Sequence, residues 1–269
     1  MKRFIHLTDL HFSSRDNTQN EIHFETRKTI LNVIKKIINL RPEPDFILIS
    51  GDLTNTGNIN SYKVLYQILK NIKTPIYYAL GNHDKKLSFN KVFRNINSEE
   101  PLFYNHIIED LNLIVLDTSV SGKVSGEISD EQFEFLSNCL TQNKQMQSLI
   151  MMHHPPKFSM SSPNWISLDK KSTTKLKSKL ANQNILAIVC GHIHINQTNF
   201  WHGIPIIISN GLYSTIDFLT KDEMRIIEGK SFNVCHIREN GIGVTVVPVK
   251  PTAKVFKSIN LKKFKNLKI

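Results

Sequence analysis

Five times along this chain, a short apolar run stops at a group of metal-competent polar residues. Residues 3–8 run into Asp9-Leu10-His11, residues 45–50 into Gly51-Asp52-Leu53-Thr54, and residues 75–80 into Gly81-Asn82-His83-Asp84. Residues 148–152 then run into His153-His154-Pro155-Pro156, and residues 185–190 into Gly191-His192-Ile193-His194. An apolar run of five or six residues bounded by turn residues reads as a buried strand. Helical spacing lies between these runs at residues 25–40, 62–72, 129–140 and 173–180, with Ile30, Val33, Ile34, Ile37 and Ile38 facing inward in the first and Val64, Leu65, Ile68 and Leu69 in the second. Ser129 is placed as the N-cap of the third helix, with Gln132 completing a capping box.

Strands alternating with helices define an α/β chain whose early strands are parallel and covered on both faces. Ligands in such sheets bind beyond the C-terminal strand ends, so the five polar groups are expected to converge. The last third is β-rich: residues 197–202 and 205–209 flank a His202-Gly203 turn, and residues 232–238 pair with 243–249 through Glu239-Asn240-Gly241.

Any one of these groups could be an ordinary turn or cap. Together they are harder to explain, because burying so many imidazoles and carboxylates at one sheet edge costs several kcal/mol per unpaired group. Bound cations offset that cost. Carboxylate, imidazole and amide donors without thiolate suit Mn, Fe, Zn or Co rather than a closed structural zinc site. Gly51, Gly81 and Gly191 are expected to let the chain turn sharply and aim the next side chain back into the site.

Size and composition support a folded domain. A chain of 269 residues, 40% of them apolar, can bury a sizeable core. Cys139, Cys190 and Cys235 are far apart and odd in number, which points to buried free thiols and a reducing, cytoplasmic setting. The basic N-terminus lacks the apolar stretch of a signal peptide, and no run approaches the roughly 20 residues of a membrane span. The net charge of +11 invites a nucleic-acid reading, but the lysines are spread over many segments and are densest at 250–269, which carries seven and no acid. Residues 1–250 are therefore taken as the catalytic domain and 251–269 as a basic tail.

The ordered blocks D-x-H, G-D-x-x, G-N-H-D, a later His and G-H-x-H resemble the calcineurin-like metallophosphoesterases over residues 3–250, and among them most closely the bacterial class III cyclic-nucleotide phosphodiesterases. The resemblance implies an α/β/β/α four-layer sandwich with two mixed β-sheets. It also implies that Asp9, His11 and His194 hold one metal ion, that Asn82, His153 and His192 hold a second, and that Asp52 bridges them. His83 would meet a phosphate oxygen or protonate the leaving alkoxide, with Asp84 orienting His83 or the nearby backbone. Two such ions share a water, lower its pKa toward about 7 and supply hydroxide at neutral pH.

His154 is expected to lie behind the ligands or touch substrate. His6, three residues before Asp9, is a candidate support, and His202 is a candidate pocket residue. His23, His106 and His236 are read as surface or strand residues, and Asn210-Gly211 as a turn near the site. Residues 55–62, 85–105 and 157–171 are expected to form the rim that selects substrate.

The implied reaction is hydrolysis of a small phosphodiester such as a 3',5'-cyclic nucleotide, and a homodimer is compatible with it. A nuclease, a lipid-precursor pyrophosphatase needing an apolar groove, and a non-catalytic scaffold that has lost its ligands are the alternatives. No ligand is missing here.

Overall fold

The structure is a computed structural model that describes residues 1–14, 22–217, 219 and 223–249. The side chain of His23 and the tail at 251–269 lie outside the described residues.

In chain order the elements are β1 (Lys2–Leu7), α1 (Ile22–Ile38), β2 (Phe46–Ser50), α2 (Ile59–Leu69), β3 (Ile76–Ala79), α3 (Lys86–Phe89), β4 (Tyr104–Ile108) and β5 (Leu111–Val115). Then follow α4 (Asp130–Gln142), β6 (Gln147–Met151), α5 (Lys170–Leu180), β7 (Ile185–Cys190), β8 (Gln197–Trp201), β9 (Ile204–Ile208), β10 (Thr215–Asp217), β11 (Arg225–Ile227), β12 (Ser231–Arg238) and β13 (Gly241–Pro248).

Side-chain alternation along the strands determines how these elements stack. On β2, Ile47 and Ile49 join Val33, Ile37 and Leu65 of the helices, whereas Phe46 and Leu48 point the other way. On β6, Ile150 faces Phe133, Leu136 and Leu176 of α4 and α5, whereas Leu149 and Met151 point toward Phe46 and Leu48. Strand side chains alternate between faces, so each sheet must be covered twice. The result is three apolar cores in series. Helices α1 and α2 cover a five-stranded sheet of order β13-β12-β1-β2-β3; that sheet packs on a six-stranded sheet of order β4-β5-β6-β7-β9-β8; and α4 and α5 cover the far side. This is the expected α/β/β/α sandwich.

Both sheets are mixed. Strands β1, β2 and β3 run parallel, as do β5, β6, β7 and β9, while β12, β13, β4 and β8 are antiparallel additions. The β12–β13 hairpin closes through a turn narrower than expected, because Arg238 already pairs with Gly241. All three cysteines are buried.

Several sequence expectations are corrected. Helix α2 begins at Ile59, where Asn58 caps it by accepting from the Asn60 amide at 2.8 Å. Ile38 is exposed, because it lies one residue past the buried Ile37 and therefore around the side of α1. Ser129 does cap α4 through the Gln132 amide, but the Gln132 side chain turns to Asp117 instead of closing a capping box, with bonds of 2.8 Å to the Asp117 amide and carbonyl. Strand β4, which begins at the end of the expected rim segment 85–105, went unread, because as an edge strand it exposes Asn105, His106 and Ile107 and so lacks alternation.

Leu48 is fully buried between the sheets, whereas Ile107 is 39% exposed on the edge. Leu48→Ala should cost about 2–5 kcal/mol and Ile107→Ala about 0.5 or less, measured by urea unfolding. Similar losses at both positions would contradict the layer assignment.

Candidate metal centre

The five parallel-strand ends converge as the topology requires. Asp9 and His11 follow β1, Asp52 follows β2, Asn82 to Asp84 follow β3, His153 follows β6, and His192 and His194 follow β7. The first sheet thus brings both carboxylates and the amide, and the second brings three imidazoles.

The turns that deliver them are tight. Asp9, His11, Asp52, His192 and His194 all have φ between 41° and 75°, in the left-handed region. Asp and His tolerate that region better than most residues, and strain of this kind persists only where surroundings hold it. Gly51, with φ of 103°, is a turn glycine as expected. Gly81 is required for a different reason: a Cβ there would overlap Asp52 Oδ1 and stand 2.7 Å from His153 Nε2.

At the centre, His11 Nε2 lies 3.6 Å from Asp52 Oδ2 and 3.9 Å from Asp9 Oδ1. His153 Nε2 lies 3.3 Å and 3.9 Å from the same two oxygens, and His194 Nε2 is 3.3 Å from Asp9 Oδ1. His192 Nδ1 stands 3.0 Å from Asn82 Oδ1. Asp9, Asp52 and His153 are buried, and His153 Nε2 has no hydrogen-bond partner.

Each imidazole has its other nitrogen fixed by an oxygen. His153 Nδ1 donates to the Ser50 carbonyl at 2.8 Å, His194 Nδ1 to the Ser214 carbonyl at 3.2 Å, and His11 Nδ1 to the Asn55 side-chain oxygen at 3.1 Å. His192 is reversed: its Nε2 donates to the Trp165 carbonyl at 2.6 Å. An acceptor on one nitrogen sets the tautomer and leaves a lone pair on the other, which is how a protein prepares imidazole for a metal ion. The donor set, the packed lone pairs and the unpartnered His153 Nε2 together fit a pair of borderline cations. Asp9, His11 and His194 form one group whose ligand atoms are mutually close, and Asp9, Asp52 and His153 form another.

Charge follows the same pattern. Burial opposes ionisation of Asp52, yet the facing His153, then His11, holds its carboxyl well below the usual carboxylate range. Asp9 is likewise lowered, with His194 overcoming burial. Burial also works against a cation on His153, but Asp52 outweighs it and raises the imidazole to about 9. Burial takes His11 and His192 down to about 4.

The supporting residues divide clearly. Asp84 receives the amides of Leu53, Thr54 and Gly81 at 3.0–3.2 Å and the Tyr62 hydroxyl at 2.6 Å. Both its oxygens are spent on tying the second turn to the third, so of the two expected roles its contacts are those of support for the nearby backbone. His83 donates Nδ1–H to the Asn55 carbonyl at 2.8 Å, while its amide donates to Asp52 at 2.8 Å. His154 has both nitrogens engaged, by Thr118 at 2.7 Å and the Val124 carbonyl at 3.0 Å, and lies against His153 and His192. His6 bonds Ser50 Oγ at 2.8 Å, behind His153.

His202 is not among the described residues lining the central cavity, and lies beside Trp201 at the β8–β9 turn. His106 packs on Tyr77, and His236 receives the Arg3 guanidinium at 3.0 Å. Gly211 lies against Asp9 and His194. Sequence reasoning missed Asn55, which holds two histidines at once, and the carbonyls of Ser50, Trp165 and Ser214, which carry no side-chain signature. It also missed β10 and β11, whose residues Ile216 and Ile226, with Met224 just before β11, line the cavity beside the expected loop residues Phe158 and Trp165.

Residues 2–196 match the Calcineurin-like phosphoesterase family, and the chain belongs to that family. It is a metal-dependent phosphoesterase. Its relatives include a probable glycerophosphodiester phosphodiesterase of Arcobacter nitrofigilis, 29% identical over 76% of each chain. A probable cyclic nucleotide phosphodiesterase of Ruthia magnifica is 32% identical over 71% of this chain and 77% of its own. A dimetal phosphatase from Danio rerio shares the fold, with a TM-score of 0.64 at 14% identity, covering 93% of this chain and 99% of that one. No helix among the described residues is long and apolar enough to cross a membrane.

Two outcomes follow for metal loading. A cation taking His153 must displace its proton, so apparent affinity should rise by up to about tenfold per pH unit from 6.5 to about 9, with proton release seen calorimetrically in buffers of differing ionisation heat. A flat profile would refute the proton competition. Gly81→Ala should lower metal content of the purified protein at least tenfold, because the new methyl must displace Asp52 or His153.

Proposed function

We propose that the chain hydrolyses small phosphodiesters at a centre of two metal ions, with Asp9, His11 and His194 holding one, Asn82, His153 and His192 the other, and Asp52 shared. The carrying observation is the set of four imidazoles, each fixed by an oxygen on one nitrogen and offering the other to buried carboxylate or amide oxygens. Bound there, Mn, Fe, Zn or Co ions would activate water at neutral pH and neutralise phosphoryl charge.

The chain's own residues do the rest. Because the Asn55 carbonyl keeps the proton on His83 Nδ1, Nε2 is the nitrogen that gains or loses a proton beside the substrate, which suits His83 to protonate the leaving alkoxide. Asp84 and Tyr62 hold the turns that set Asp52 and His83 in register. Asn55 fixes His11 and His83 together.

Charge favours a diester of low charge. Of the two cavities that meet at Asn82 and His83, the larger has no Lys or Arg among its described lining residues, and the other has Lys85 and Lys86, the latter engaged by Asp117 and Ser119, despite the chain's net charge of +11. Nucleic acids and diphosphates carry several charges, which proteins ordinarily meet with Lys and Arg. Cyclic nucleotides and glycerophosphodiesters, the substrates in the names of the relatives, each carry one such diester. A cytoplasmic location agrees with three buried, unpaired cysteines.

The deciding assay compares cyclic AMP, cyclic GMP, bis(p-nitrophenyl) phosphate and p-nitrophenyl phosphate after metal reconstitution. Diesters should turn over faster than the monoester, chelation should abolish turnover, and Asn82→Ala should abolish it too. His83→Ala should keep its metals and lose about 10²–10⁴ in kcat. Faster monoester cleavage would reject the diester assignment.

A further inference from the structure

His83 stands between two cavities of opposite character. One, of about 690 Å³, opens from His11, Asp52 and His192 toward Phe158, Trp165, Met224 and Ile226. The other, of about 590 Å³, shares Asn55, Asn82 and His83 and continues to Thr56, Lys85, Glu99, Ser119 and Ser121.

The first wall is unusual. Phe158, Trp165, Met224 and Ile226 are 45–63% exposed, and they come from two separate segments, the loop before α5 and the β10–β11 hairpin. Single exposed apolar side chains need no explanation, but several gathered on one cavity mark a binding surface. Ligand cavities are typically walled this way, with a few polar groups fixing orientation.

A phosphodiester bears two ester arms that diverge from tetrahedral phosphorus. With the phosphoryl group at the ligand cluster where both cavities meet, the arms enter different cavities. We infer that the substrate is an acyclic phosphodiester with unlike arms: an apolar alkyl or aryl arm lying across Trp165 and Ile226, and a hydroxyl-bearing arm among Lys85, Ser119 and Ser121. This inference rests on the phosphodiesterase reading above. The reaction is a hydrolysis: an oxygen from water bonds to phosphorus, one phosphorus–oxygen ester bond breaks, and the departing alcohol takes a proton, leaving a phosphomonoester. A cyclic diester has both arms closed on one ring and would leave one cavity empty.

The test uses glycerol phosphodiesters of methanol, butanol and octanol with the metal-reconstituted enzyme, followed by phosphorus NMR. KM should fall by about three- to fourfold per added methylene until the wall is covered. Ile226→Ser, at an exposed position, should flatten that dependence. In metal-free protein, where no turnover intervenes, the octyl ester should shift tryptophan fluorescence to the blue, and Trp165→Phe should remove the shift.

Hydrolysis with a KM indifferent to chain length, or a higher kcat/KM for cyclic AMP than for the octyl ester, would overturn the inference and leave the diester assignment standing. Cleavage of p-nitrophenyl phosphate with no cleavage of any diester would overturn both.

Discussion

The Asp52 carboxylate is the junction on which the site depends. It arrives from the first sheet, and its closest imidazole, His153 at 3.3 Å, arrives from the second. Asp9 repeats the arrangement toward His194. Neither carboxylate is stable as an isolated buried charge, and neither sheet supplies a complete donor set. The cluster therefore exists only when the two sheets are packed face to face, and the core containing Phe46, Leu48, Leu149 and Met151 is what sets its dimensions. Packing between the sheets and chemistry at their ends are one problem.

Backbone strain is distributed around the same cluster. Five residues there lie in the left-handed region, a conformation that costs about 1–3 kcal/mol for most side chains. What holds them is a mesh of bonds between the turns themselves. The Asp9 amide reaches the Gly51 carbonyl at 3.1 Å, the His11 amide the Asp52 carbonyl at 3.0 Å, and the His192 amide Asp9 Oδ2 at 3.0 Å. Asp84 fastens the second turn to the third. The turns are thus pinned to each other by bonds of their own.

Much of this was legible in the sequence, because buried parallel strands and strand-end polar groups follow from period and punctuation alone. The nine proposed site residues do meet in space, as the alternating strands and helices required. What escaped has identifiable causes. Edge strand β4 and the short β10–β11 pair carry no apolar alternation, since one face or both meet solvent. The carbonyls of Ser50, Trp165 and Ser214 fix imidazoles through backbone atoms, which every residue possesses. Asn55 stood inside a segment read only as rim. Gly81 was assigned to the site for its freedom to turn, whereas the space it leaves beside Asp52 and His153 is what the site needs.

The Trp165 carbonyl, which orients His192 from a loop whose side chains line the apolar cavity, has an evolutionary consequence. Side chains along that loop are free to diverge, and with them the preference for one ester over another. The path of its main chain is not, because shifting residue 165 would release an imidazole from the strand-end cluster. Diversification at this wall should therefore proceed by substitution, while insertions or deletions next to residue 165 are selected against.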